Sequence, residues 1–118
     1  MFEFYNANPL NAYEEDCVIR ALSCATGKSW DEVYNELSDL AQYNGTMMDN
    51  RQFVRWYLDS KYQRIDTPPY KVIDVAKTFG KNIVLCTVEG HIICVKCGKI
   101  LDTFDPSQRL VEDVWIVK

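Results

Sequence analysis

Hydrophobic positions in the first half of the chain recur with helical spacing. Val18, Ala21, Leu22 and Ala25 fall at i, i+3, i+4 and i+7, which predicts one apolar face on a helix ending near Thr26, with Gly27 as its stop. Cys17, Ala21 and Cys24 lie along the flank of that face. Trp30, Val33, Tyr34, Leu37, Leu40 and Ala41 keep the same period and predict a second helix from Trp30 to about Gln42, opened by a Ser29–Glu32 capping box. A third, from about Asn50 to Lys61, carries Phe53, Val54, Tyr57 and Leu58, with Asp49 and Gln52 in the capping positions. Thr67-Pro68-Pro69 is a stiff connector, and a short helix over Tyr70 to Phe79 stops at Gly80. The first dozen residues read as extended chain that packs Phe2, Phe4 and Tyr5 on the core.

Beyond Gly80 the period changes to that of strands. Asn82–Val88, His91–Lys96, Lys99–Phe104 and Leu110–Val117 are rich in Val and Ile and are joined at Glu89-Gly90, Cys97-Gly98 and Asp105-Pro106. Helices followed by an antiparallel meander predict an α+β domain, with N-terminal helices packed on a C-terminal sheet of about four strands. At 118 residues one compact domain is expected over 1–118.

Composition narrows the function. A net charge of −4 without a Lys/Arg cluster argues against a nucleic-acid backbone or an anionic membrane as partner. No apolar run approaches the ~20 residues of a membrane span. The start, Met1-Phe2-Glu3-Phe4-Tyr5-Asn6, lacks the pattern of a secretory signal, so a cytoplasmic chain is expected. Five cysteines, an odd number, suit reduced thiols better than a disulfide framework, and Cys24 and Cys86 read as core.

The chemistry-bearing stretch is Asp16-Cys17-Val18, an acid and a thiol at the head of an apolar helix. First-turn N–H groups favour a thiolate there. Where the helix begins is open: Asn11 with Glu14 makes one capping box, which puts Cys17 in the second turn, whereas an Asp16 cap puts it in the first. His91 is the one histidine and opens a strand directly after a turn glycine. If Cys97-Gly98 is a two-residue turn, Lys96 pairs with Lys99, Val95 with Ile100 and Cys94 with Leu101. Asp102 then shares a face with His91, and an acid on an otherwise apolar face needs a partner. Asp105 has the opposite parity and reads as a turn former. Cys–His–Asp is the logic of thiol hydrolases: nucleophile, base then acid, and orienting carboxylate. The Asn11 side chain, six residues before Cys17, is a candidate oxyanion donor, with Asn8 a less well placed substitute. Glu14, Glu15 and Asp16 beside the thiol oppose its ionisation unless His91 is protonated, and equally attract a cationic substrate.

Asn11 through Cys17, then Gly90-His91-Ile92-Ile93, then Ile100-Leu101-Asp102 resemble the papain-like cysteine peptidases in their small bacterial and phage forms. The Asp-Cys pair preceded at six residues by an amide is similar to the bacteriocin-processing, double-glycine peptidases of ABC exporters, with Asn11 where Gln is usual. Asn8-Pro9, Asp16-Cys17-Val18-Ile19-Arg20-Ala21, Gly98-Lys99 and Asp102-Thr103-Phe104-Asp105 resemble uncharacterised phage and gut-bacterial proteins of the same kind. The resemblance implies a papain-like fold, Cys17 as nucleophile, His91 as base, Asp102 as orienting acid, Asn11 as oxyanion donor, a peptide or protein substrate and no cofactor. Two other readings stand beside it. One is a catalytically silent papain-like binding or regulatory protein. The other is a small zinc knuckle at Cys94 and Cys97, completed by His91 and Cys86.

Overall fold

The computed structural model describes residues 1–12 and 15–118. The elements in chain order are β1 (Phe2–Phe4), α1 (Cys17–Thr26), α2 (Trp30–Tyr43), α3 (Arg51–Lys61), β2 (Gln63–Arg64), α4 (Val72–Thr78), β3 (Ile83–Val88), β4 (His91–Lys96), β5 (Lys99–Asp102) and β6 (Asp113–Ile116). The class is α+β. The sheet is larger than the pattern implied, with strand order β1-β5-β4-β3-β6-β2, and it is mixed because β1 runs parallel to β5. Only β3, β4 and β5 form the expected meander; β6 does not continue it beside β5 but crosses back to pair antiparallel with β3 on its other edge. The two additions are edge strands of three and two residues, too short for an alternation of side chains to be visible in sequence.

Alternation along the inner strands splits the core into two layers. On one side Leu85, Ile92, Cys94 and Trp115 meet α1, α2 and α3. On the other Val84, Cys86, Ile93, Val95, Ile100 and Val114 meet α4. Eight of the ten residues of α1 are buried, so this helix is held between the sheet and α2. The expected faces of α1 and α3 are buried as anticipated. On α2, Tyr34 is exposed and stacks on Trp30 at 5.3 Å instead of joining the core. Phe4 is exposed as well, at the end of the edge strand β1, whereas Phe2 and Tyr5 pack against the two layers.

The caps explain where the helices begin. The Ser29–Glu32 box is complete: Glu32 N–H donates to Ser29 Oγ at 3.1 Å and Ser29 N–H to Glu32 Oε1 at 3.3 Å. Ser29→Ala is expected to destabilise the protein by about 1 kcal/mol, read as a lowered urea midpoint at unchanged slope. For α3 the capping residue is Asn50, not Asp49. Asn50 is extended, and its Oδ1 accepts from Phe53 N–H at 3.0 Å. Asp49 is thereby left without a capping duty.

The hairpin register is the one expected. Lys96 faces Lys99, Val95 faces Ile100 and Cys94 faces Leu101. Cys97 and Gly98 both take positive φ (52° and 82°), as a two-residue type I′ turn requires. Among the described residues no helix is long and apolar enough to cross a membrane.

Candidate active site

Helix α1 starts at Cys17, so the thiol stands at its first position and Asp16 at the cap position. The alternative start through Asn11 and Glu14 involves Glu14, which lies outside the described residues. Asp16 does not cap with its side chain. Its carboxylate is taken up elsewhere: Oδ1 accepts from Arg20 Nε at 2.7 Å and Oδ2 from Trp30 Nε1 at 2.8 Å. The first-turn N–H groups of α1 are therefore not claimed by the cap side chain, which leaves their partial positive charge beside the sulfur.

Arg20 carries the network inward. Its Nη1 donates to Asp102 Oδ1 at 3.0 Å and to Thr103 Oγ1 at 3.2 Å. Asp102 Oδ1 also accepts from Thr103 N–H at 2.7 Å, and its other oxygen lies 2.6 Å from His91 Nε2. Asp102 is 3% exposed and Arg20 8%. A buried carboxylate is costly unless paired and hydrogen-bonded, and here both oxygens are engaged. The result is a continuous run from Trp30 through Asp16, Arg20 and Asp102 to the imidazole.

By strand parity His91 and Asp102 belong to the α4 face, but both sit at strand ends, from which their side chains reach the first turn of α1. With Nε2 committed to Asp102, Nδ1 is the ring nitrogen left for the thiol. Cys17 and His91 line the same two cavities, and the imidazole and the Ile92 N–H are near enough to the sulfur to favour its thiolate. Burial pushes the Cys17 thiol up, but the His91 ring, the Ile92 N–H and the charges of His91 and Arg20 outweigh it and leave it below the ordinary thiol value. Burial pulls His91 down, and the hydrogen bond to Asp102, the neighbouring Cys17 sulfur and the charges of both more than reverse that, raising it to about 9. The two shifts run in the directions that favour a thiolate–imidazolium pair over a neutral thiol and imidazole. Phe104 packs over the imidazole with ring centroids 4.9 Å apart.

The structure brings together Cys17, His91 and Asp102. It does not bring Asn11 to them. Asn11 is exposed in a left-handed conformation (φ 54°), its N–H bonded to the Asn8 carbonyl, and it lines neither cavity that meets at the thiol. Asn8 is buried and organises its own loop, its Oδ1 accepting from the N–H groups of Leu10 and Ala12. Contrary to the expectation, neither asparagine is among the residues that line the cavities at the thiol; what adjoins Cys17 is the head of α1 with its first-turn N–H groups. Asp105 is a turn former, its Oδ1 accepting from Ser107 N–H at 3.0 Å and from the Ser107 hydroxyl.

Sequence reasoning missed Arg20, Asp16 and Trp30 as the support behind the acid. The signal was present in Arg20, a lone cation in an apolar helix, four residues after an acid. The partner of that cation across 82 residues was not legible.

Two cavities meet at Cys17, Asp49, Gly90 and His91. One, of about 170 Å³, has an apolar floor that includes Val18, Val54, Val88, Ile92 and Trp115. The other, of about 740 Å³, is lined by Glu15, Asp49, Arg20, Thr103 and Phe104. The cysteines of the suspected knuckle do not converge. Cys94 is buried beside Cys24, whereas Cys97 is exposed in the turn, and among the described residues no group of three or more His, Cys, Asp or Glu is placed to hold a metal ion. Comparison with protein-family models, with curated proteins and with solved structures finds no match.

Proposed function

We propose that this protein is a cysteine hydrolase of amide bonds, a peptidase first, built on a papain-like arrangement. Cys17 attacks the carbonyl carbon, and the oxyanion is received by the N–H groups at the head of α1. His91, protonated in the resting pair, gives its proton to the departing amine. An acyl-thioester on Cys17 remains. Water then attacks with His91 as base, the carboxylic acid leaves, and the thiolate–imidazolium pair is restored. Asp102 fixes the ring through Nε2 and stabilises the imidazolium; it does not itself take the proton.

The observation that carries this reading is the juxtaposition of Cys17 and His91 on the walls of the same two cavities, with the buried Asp102 behind the imidazole at 2.6 Å from Nε2. A merely structural histidine has no need of both a buried acid and a nucleophile at the mouth of a cleft.

The test is reactivity against pH. Iodoacetamide capture of Cys17, read by peptide mass mapping beside exposed Cys97, is expected to be fast well below the ordinary thiol value, because the folded Cys17 is lowered from it. Above about 9, where His91 loses its proton, the pair gives way to an isolated thiolate. Incubation with a p-nitrophenyl ester is expected to leave the acyl group on Cys17. A Cys17 that titrates like a free thiol and takes up no acyl group sinks the hydrolase and leaves the silent binding protein.

A further inference from the structure

The two cavities that meet at Cys17 differ in chemistry, and the difference lies in which charges are already matched. At the apolar cavity two of the three lining acids are paired, Glu112 with Arg51 at 3.2 Å and Asp113 with Arg55 and Arg64, each at 3.8 Å; the third, Asp49, stands at the seam with the larger cavity and lines both. The larger cavity has no such balance. Its one cation is Arg20, already held between Asp16 and Asp102. Its remaining acids, Glu15 and Asp49, have no ion-pair partner among the described residues. Asp49 is free for this place because Asn50 supplies the cap of α3. Phe104, 43% exposed, lines the same cavity with its ring against His91. An aromatic face beside carboxylates favours an organic cation.

The site is fixed by the thiol and the imidazole; the matched and unmatched charges decide what crosses it. Resting on the hydrolase reading, we propose that the substrate is a basic polypeptide segment that crosses Cys17 with an apolar side chain in the smaller cavity and a lysine or arginine side chain in the larger one, against Phe104, Glu15 and Asp49. An acidic segment meets uncompensated like charge on that side of the scissile bond. The net charge of −4 adds to the attraction at long range.

Two measurements test this separately from hydrolysis. In the first, Cys17 is modified with a cationic (trimethylammonium) and an anionic (sulfonate) ethyl methanethiosulfonate, the thiolate displacing methanesulfinate in each case, and the extent at Cys17 is read by mass mapping. The cation-to-anion rate ratio is expected to exceed that of a small neutral thiol by about tenfold at low salt, and to shrink towards it in 1 M NaCl, where the Debye length is about 3 Å. The ratio is expected to drop in Asp49→Asn and in Glu15→Gln. A wild-type ratio equal to that of the small thiol, indifferent to salt, overturns the proposal whatever the variants do. In the second, a peptide mixture is digested and the cleaved bonds sequenced. Lysine or arginine enriched on one side of the bond and apolar residues on the other support the proposal. Cleavage without that asymmetry overturns it and leaves the hydrolase standing. A cation preference at Cys17 with no peptide cleaved supports the charge selection and overturns the hydrolase.

Discussion

Replacing His91 by alanine is expected, on the hydrolase proposal, to lower peptide hydrolysis by between a hundredfold and ten-thousandfold, the usual contribution of a positioned acid–base group. The loss has two sources. Cys17 sheds the neighbouring ring and the charge that hold its thiol down, so less thiolate is present near neutral pH. The leaving amine also loses its proton donor. The two separate by pH: raising the pH restores the thiolate in His91→Ala and recovers iodoacetamide capture, but it does not recover hydrolysis. The wild-type hydrolysis profile is expected to be bell-shaped, rising as Cys17 ionises and falling as His91 deprotonates towards about 9. A His91→Ala protein that hydrolyses peptides at the wild-type rate removes the imidazole from the mechanism.

Replacing Arg20 by glutamine is expected to destabilise the fold by about 3–5 kcal/mol, the usual cost of leaving buried charge without its partner. Arg20 lies between two carboxylates whose side chains are 6% and 3% exposed, so its removal leaves Asp16 with the Trp30 N–H alone and no cation, and leaves Asp102 to His91 and Thr103. Arg20→Lys is expected to recover only part of the loss, because one ammonium cannot reproduce the fork in which Nε serves Asp16 while Nη1 serves Asp102. Urea denaturation measures both. A change under about 1 kcal/mol for Arg20→Gln shows that the carboxylates find other partners or protons. Hydrolysis by the folded fraction of Arg20→Gln is expected to fall as well, since the acid behind His91 is then held only from Thr103.

What could be read from the chain follows the range of each interaction. Periodicity exposed α1, α2 and α3 because each buries one face over two or more turns, and the four inner strands showed as Val- and Ile-rich runs because both of their faces are covered. The Cys97-Gly98 turn fixed the hairpin register, and with it the choice of Asp102 over Asp105. The edge strands β1 and β2 were invisible because three and two residues carry no period. The cap of α3 was misplaced by one residue because Asp49 and Asn50 both suit the position, and backbone conformation decides between them. Asn11 was chosen by its distance along the chain from Cys17. The loop turns at that residue, and sequence spacing gave no hint of it. Arg20 and Trp30 act across the fold, and nothing local announces such a contact.

The bond from Trp30 to Asp16 ties the opening residue of α2 to the residue before the sulfur. The setting of the sulfur thus depends on how the second helix docks, so a change that loosens α2 is expected to be felt at Cys17 without touching it.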